Sequence, residues 1–196
     1  MLKRIFDIVC SLIGLTILFP FFVIISVSII VSDGFPIFYF QQRVGKNSND
    51  FKLFKFRTMY KEADKKGLLT IGGRDPRVTP IGYYLRKYKL DELPQLLNVL
   101  LGNMSLVGPR PEVRKYVEMY SKEQLNVLSV KPGITDLASI KFINENELLA
   151  QSSDPEKTYI TSIMPQKLTL NLEYIANQGI ISDVKIILNT ILRIIC

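Results

Sequence analysis

A chain of 196 residues has room for one domain and an appendage. Its hydrophobic content of 47% excludes general disorder, and its lack of histidine excludes Ser-His and Cys-His nucleophile pairs and His-ligated metal sites. The net charge of +7 is uneven: residues 1–40 cancel, residues 41–90 carry thirteen Lys and Arg against Asp50, Glu62, Asp64 and Asp75, and residues 91–196 are slightly acidic. Such a basic block suits phosphate of any kind, whether nucleic acid, nucleotide or anionic lipid. Cys10, in an apolar run, and Cys196 cannot build a disulfide framework or a metal cluster, which fits a reducing cytosolic setting.

Ile8 to Ser32 is a run of 25 residues without a charge. It is long enough to cross a bilayer as a straight helix, and too long for a cleaved signal peptide. Lys3 and Arg4 precede it, which places the N-terminus in the cytoplasm by the positive-inside rule. A straight crossing would put the basic block outside, against that rule. Pro20 sits near the middle among Phe19, Phe21 and Phe22 and removes a backbone donor. The expected form is therefore a helix–break–helix over residues 1–34 that enters the membrane and returns. A plain transmembrane anchor is the alternative.

Residues 35–196 form the second unit. Phe51 to Met59 alternates apolar and basic residues and predicts a short strand with one wet face. Tyr60 to Lys66 reads as a solvated, charged helix. Gly67 to Arg77 is a loop broken by Gly72-Gly73 and Asp75-Pro76. No Gly-Lys-Ser/Thr follows it, so a P-loop is rejected. Thr79-Pro80 starts a short helix that delivers Arg86.

The chain is organised around Arg86 to Gly102, which runs on into Ser105 to Pro111. Leu93, Leu96, Leu97 and Leu100 recur at helical spacing, and Gly102 is a stop. Asp91 falls where an N-cap belongs, with Glu92 and Pro94 in the first turn. Helix dipole and nearby cations favour an ionised Asp91. Such a carboxylate can attack phosphorus or hold a divalent metal; it can also simply cap the helix.

Pro111 to Leu128 predicts a helix that packs Val113, Tyr116, Val117, Tyr120 and Leu125 into a core. Lys131 to Thr135 is a turn, and Glu145 to Glu156 is a polar, mobile loop. Ile163 to Ala176 is a helix stopped at Asn177-Gln178-Gly179. Asp183 to Ile195 is amphipathic, with Val184, Ile187, Leu188, Ile191, Leu192 and Ile195 on one face. Such a helix lies on a membrane or closes the core.

The residues Asp75 to Thr79, Gly82, Leu85 to Lys87, Leu90 to Leu100 and Met104 to Pro111 closely resemble the bacterial sugar transferases, the monotopic polyprenyl-phosphate phosphoglycosyl transferases that start surface-glycan assembly. Weaker resemblance runs from Lys3 to the C-terminus. The resemblance implies an α-rich fold with a small β element, a re-entrant helix broken at Pro20, and a compact catalytic domain with amphipathic interfacial helices on the cytosolic face of the inner membrane. It implies transfer of a phospho-sugar from a UDP-sugar to undecaprenyl phosphate with release of UMP. Asp91 would be the nucleophile, forming a phosphosugar–enzyme intermediate, and Glu92 its acidic partner. Both would serve Mg²⁺. Arg57, Arg86 and Arg110 would hold phosphate, Arg110 on a loop fixed by Pro109 and Pro111. This chain departs at Phe19-Pro20, where the family has Ser-Pro. It departs again at Asp136-Leu137-Ala138-Ser139, where the family has Gly-Leu-Ala-Gln.

Two other classes fit the residues less well. A membrane-anchored basic protein that binds anionic lipid or nucleic acid has no use for Asp91 and Glu92 among its cations, and base-reading motifs are absent, so no nucleic acid is expected. A transferase moving the sugar alone would want an Asp-x-Asp metal motif, which the sequence lacks. Neither the sugar nor the oligomeric state is legible; a homodimer is left open.

Overall fold

The computed structural model describes residues 2–63, 67, 69–72 and 75–195. Helix α1, Leu2–Asp33, contains Pro20 and runs through it without interruption. The expected helix–break–helix is thus one helix of 32 residues: the bonds of the surrounding turns outweigh the one donor that proline lacks. It is long and apolar enough to cross a membrane, and only 11% of its most apolar stretch is buried. Its middle, from Leu12 to Ile24, exposes Leu12, Ile13, Ile17, Phe19, Phe21, Val23 and Ile24. Its two ends are held. Asp7 and Ser11 are buried near the start, and Ile25 and Ile29 near the finish.

Strands β1, Phe38–Val44, and β2, Asp50–Phe56, form an antiparallel hairpin in which Phe38 faces Phe56 and Val44 faces Asp50. The alternation predicted over Phe51 to Met59 is this second strand. Phe56 is the anchor: its ring lies 5.2 Å from Phe22 of α1 and 5.3 Å from Phe38. With Ile25, Ile29 and Leu85 it forms the core that fastens α1 to the rest. After β2 the charged helix expected from Tyr60 is a turn over Lys61–Ala63, where Glu62 takes a positive φ that a helix does not accept. Residues 64–66 of that expectation, and Gly73 of the loop, lie outside the described residues, as does Cys196.

Helix α2, Pro80–Lys87, begins as expected, with Thr79 Oγ1 accepting from the Gly82 amide at 3.1 Å. A side chain at Gly82 would stand 2.1 Å from the Thr58 carbonyl oxygen, so only glycine lets α2 lie this close to the end of β2. A single 3₁₀ turn, Leu90–Glu92, separates α2 from α3, Gln95–Leu101. Helix α3 starts four residues later than Asp91, with Pro94 at its N-cap and Gly102 (φ 88) closing it. Asp91 is therefore no cap.

Strand β3, Ser105–Val107, pairs in parallel with β4, Gly133–Thr135. The turn expected at Lys131 to Thr135 is half strand, because the amides on either side of β3 find their acceptors there. The helix expected from Pro111 to Leu128 is split into α4, Arg114–Val117, and a 3₁₀ segment, Gln124–Ser129. The cause is local. Ser121 and Gln124 cap each other, the Ser121 amide bonding Gln124 Oε1 and the Gln124 amide bonding Ser121 Oγ. Leu125, expected inside, is 40% exposed, while Val113, Tyr116 and Val117 are buried as expected.

Helix α5, Leu137–Lys141, is capped by Asp136. The polar loop expected at Glu145 to Glu156 folds into α6, Glu145–Ala150, and α7, Pro155–Thr158. Leu149 goes into the core beside Tyr116, Tyr159 and Met164, and Asp154 caps α7. A π turn, Tyr159–Ile163, joins α7 to α8, Met164–Ala176. Helix α9, Ile180–Ile195, divides the stripe read from its sequence. Asp183 and Ile186 are buried and Ile187 packs inward, whereas Val184, Leu188, Ile191 and Leu192 stay exposed.

Candidate active site

The segments that hold the sequence motifs converge on one cavity of about 430 Å³. Asp91, Arg57, Arg86, Arg110 and Pro111 all line it, together with Lys55 of β2. Glu92 stands just behind. The chain reaches this place through Lys89, whose positive φ of 55° turns it out of α2 and into the 3₁₀ turn.

The two adjacent carboxylates differ sharply in their surroundings. Glu92 is saturated. It accepts both amino groups of Arg110 in a bidentate pair, and Lys55 Nζ at 3.0 Å. Burial alone would raise its pKa, but Arg110 and then Lys55 override this and hold it well below the usual carboxylate range. The same contact raises Arg110 further above its ordinary value. Asp91, 6% exposed, has no hydrogen-bond partner among the described residues. Burial raises its pKa, Lys55 offsets part of that rise, and the charge of Glu92 adds to it. The expectation of an Asp91 stabilised as an anion by a helix terminus is thereby corrected: no helix starts there, and desolvation governs. Its carboxylate faces the cavity, poorly solvated and with the cations of Lys55, Arg86 and Lys89 around it.

The other expected residues are built in by different means. Arg57, 6% exposed, donates to the carbonyls of Asp33 at 2.9 Å and Gly34 at 2.6 Å, tying the end of α1 to the site. Its Nε and second amino group are buried without partners. Arg86 donates to Thr70 Oγ1 at 2.7 Å, so the preceding loop aims it. That loop is shaped by Arg77, which bridges the Asp75 carboxylate, the Gly67 carbonyl and the Leu69 carbonyl. Arg110 has its amide fixed by Asp136 Oδ2 at 3.1 Å, and the Pro111 carbonyl accepts from Arg43 at 3.0 Å. Behind these, a side chain at Gly133 would come within 2.1 Å of the Gly108 amide nitrogen, so the Arg110 loop rests directly on β4.

The sequence marks Lys55 only as one of the cations of the alternating strand, with Arg57 as the candidate contact, yet Lys55 lines the cavity as well. Burial lowers its pKa, and Glu92 and Asp91 push back. Sequence reasoning passed over another part of the cavity wall. There Tyr159 donates to Glu112, and Lys167 pairs with Glu145 at 2.7 Å. Nothing in a one-dimensional pattern brings α6 and α8 to the same cavity as Asp91.

A divalent metal is testable against these donors. Among the described residues no group of three or more metal-ligating side chains comes together. Asp91 offers the open carboxylate, whereas both Glu92 oxygens are occupied. This fits an ion that takes most of its oxygens from phosphate and water, the habit of Mg²⁺.

The description "Bacterial sugar transferase" matches residues 1–196. The chain belongs to that family. One relative, the putative undecaprenyl-phosphate N-acetylgalactosaminyl 1-phosphate transferase of Bacillus subtilis, is 45% identical over 122 residues, covering 62% of this chain and 68% of its own length. The exopolysaccharide production protein ExoY of Rhizobium meliloti is 34% identical over 97% of this chain and 84% of its own. The undecaprenyl-phosphate glucose phosphotransferase of Komagataeibacter xylinus is 36% identical over 97% of this chain but only 35% of its own. In this bacterial sugar transferase, the segments that carry the sequence likeness bring Arg77, Arg86, Asp91, Arg110 and Pro111 to the cavity, while the hairpin and the helices after Pro111 supply most of the remaining lining.

Proposed function

We propose that this chain transfers a phospho-sugar from a UDP-sugar to undecaprenyl phosphate and releases UMP, through a covalent intermediate on Asp91. The observation that carries the reading is the unpartnered Asp91 carboxylate facing a cavity lined by Lys55, Arg57, Arg86 and Arg110. A protein that merely bound anions would bind them better without that carboxylate, since it repels phosphate. A nucleophile needs it. The names of the relatives, sugar phosphotransferases acting on undecaprenyl phosphate, support the same acceptor.

The chemistry closes without a proton shuttle. An Asp91 oxygen attacks the phosphorus that bears the sugar, and the bond from that phosphorus to the bridging oxygen breaks. UMP leaves with the electron pair. The phosphate of the acceptor then attacks the same phosphorus and returns Asp91 to a free carboxylate, leaving the sugar on a lipid diphosphate. Both nucleophiles attack as anions and neither step calls for a proton to be moved, so a chain without histidine lacks nothing that either step requires. Glu92 acts by holding Arg110 and Lys55, whose donors meet the phosphoryl oxygens. Asp91 would be the protein's carboxylate toward Mg²⁺, which would add neutralisation of the donor's charge when bound.

The same reading places both ends of α1 on the cytosolic face of the inner membrane. In its support, Lys3, Arg4 and Asp7 at one end and Phe22, Ile25 and Asp33 at the other contact the same folded body, while the apolar middle is exposed. A straight crossing would pull one set of contacts apart. The test of function is transfer of label from a panel of UDP-sugars to undecaprenyl phosphate by the purified full chain. Product from one or more donors is expected, and no lipid-linked label from any of them would contradict the proposal.

A further inference from the structure

The first two turns of α1 are more than the cytoplasmic end of a membrane helix. Three side chains there reach across the domain to backbone. Arg4 donates to the carbonyls of Val99 at 2.6 Å and Leu100 at 2.9 Å, in the last turn of α3. Asp7 Oδ1, on a residue 2% exposed, accepts the Leu106 amide at 3.1 Å and the Ser105 hydroxyl at 3.1 Å, both in β3. Lys3 Nζ donates to the Val107 carbonyl at 3.1 Å and pairs with Asp183, which Tyr174 also bonds at 2.6 Å. A topogenic charge needs only to remain in water; here Asp7 is buried, Lys3 and Arg4 are half-buried, and each is matched to specific partners.

What they grip is the frame of the site. Helix α3 follows Asp91 and Glu92 directly, and β3 runs straight into Gly108-Pro109-Arg110. Between them lies only the turn Gly102 to Met104. The Glu92–Arg110 pair is the bridge between these two segments, so its geometry depends on their spacing. We propose that Arg4 and Asp7 are positioning residues: by holding the end of α3 and the edge of β3 from behind, they set Arg110 against Glu92 and beside Asp91. The membrane helix is thereby part of the catalytic frame. The kinetic half of this inference rests on the proposed transfer reaction.

The test uses the full chain in lipid nanodiscs, with Asp7→Ala, Asp7→Asn and Arg4→Met. The amide oxygen of Asn still accepts from Leu106 and Ser105, so Asp7→Asn should retain most of the wild-type rate. Asp7→Ala and Arg4→Met should lower kcat for UMP release about ten- to a hundredfold per folded site, as a small misplacement of reacting groups does. KM for the donor should stay within about twofold of wild type, because Lys55, Arg57 and Arg86 remain. Hydrogen exchange over residues 105–111 should speed up in Asp7→Ala and not in Asp7→Asn. If Asp7→Ala fails to fold, Ser105→Ala, which removes one of the two bonds to Asp7 from the other side, should show a smaller fall in kcat and the same local exchange. Unchanged kcat per folded site, equal losses in Ala and Asn, or a change in KM alone would overturn the proposal. The exchange measurement stands without turnover, so a wild type that releases no UMP would count against the function alone.

Discussion

At the scale of single residues, the site works by giving two neighbouring carboxylates opposite tasks. Glu92 is spent on Arg110 and Lys55, and Asp91 is left open. The raised pKa of Asp91 has two consequences of definite sign. Attack requires the ionised form, so the rate of UMP release should fall on acidification through an apparent pKa above the ordinary Asp value of about 3.9. A pH profile of single-turnover release reads this directly, and a midpoint at or below that value would contradict it. For stability, a carboxyl whose folded pKa is raised binds protons more tightly when folded. Its contribution is full below the ordinary carboxylate value and is lost as pH rises through the raised one. Once ionised, the desolvated Asp91 is therefore a burden on the fold. Asp91→Asn should melt at or above the wild-type temperature while losing turnover, the usual exchange of stability for function. Arg110→Lys should lose about 10²-fold in kcat, since a point charge replaces neither the fork on Glu92 nor a preorganised phosphate donor. Retention of near-wild-type kcat would take Arg110 out of the site. Asp91, Arg86 and Arg110 were legible in the sequence because one contiguous stretch carries them. The reason assigned to Asp91 was not legible: Pro94 reads as a first-turn residue, but with the chain leaving Lys89 in a left-handed turn it becomes the cap itself.

At the scale of elements, contacts distant in sequence decided what local pattern left open. Residues 133–135 look like a turn after Lys131-Pro132-Gly133, yet β3 recruits them as a strand. Residues 145–150 look too polar for order, yet Leu149, fully inside the core, and Glu145, paired with Lys167, hold them as a helix. The split of Pro111 to Leu128 depends on two short-range bonds between Ser121 and Gln124 that hydrophobic spacing does not register. Phe56 is the corresponding anchor between elements. Its truncation to Ala should cost about 3–5 kcal/mol by chemical denaturation, the usual range for a buried phenylalanine. It should also loosen α1 from Arg57, because Phe22, Ile25 and Ile29 share that contact. A loss below about 1 kcal/mol would mean that α1 does not pack on the hairpin in this way.

At the scale of the whole molecule, the charge asymmetry and the apolar run together read in the sequence as a helix that breaks at Pro20 and returns, and the break is what the fold does not make. The run is one helix gripped at both ends by one body, with its apolar middle and the outer stripe of α9 left uncovered. Cysteine substitutions at Lys3 and Lys46 should therefore label from the same side of the membrane. Labelling from opposite sides would restore the straight anchor. The central claim is that the open carboxylate in this cavity becomes covalently charged. It is tested most directly by intact-protein mass spectrometry after wild type is mixed with UDP-sugar, without lipid acceptor, and quenched in acid. The account predicts a mass increase equal to one sugar phosphate, localised to Asp91, absent in Asp91→Asn and discharged by undecaprenyl phosphate. Lipid-linked product formed with no adduct on the wild-type chain, or by Asp91→Asn at a rate near wild type, would contradict it.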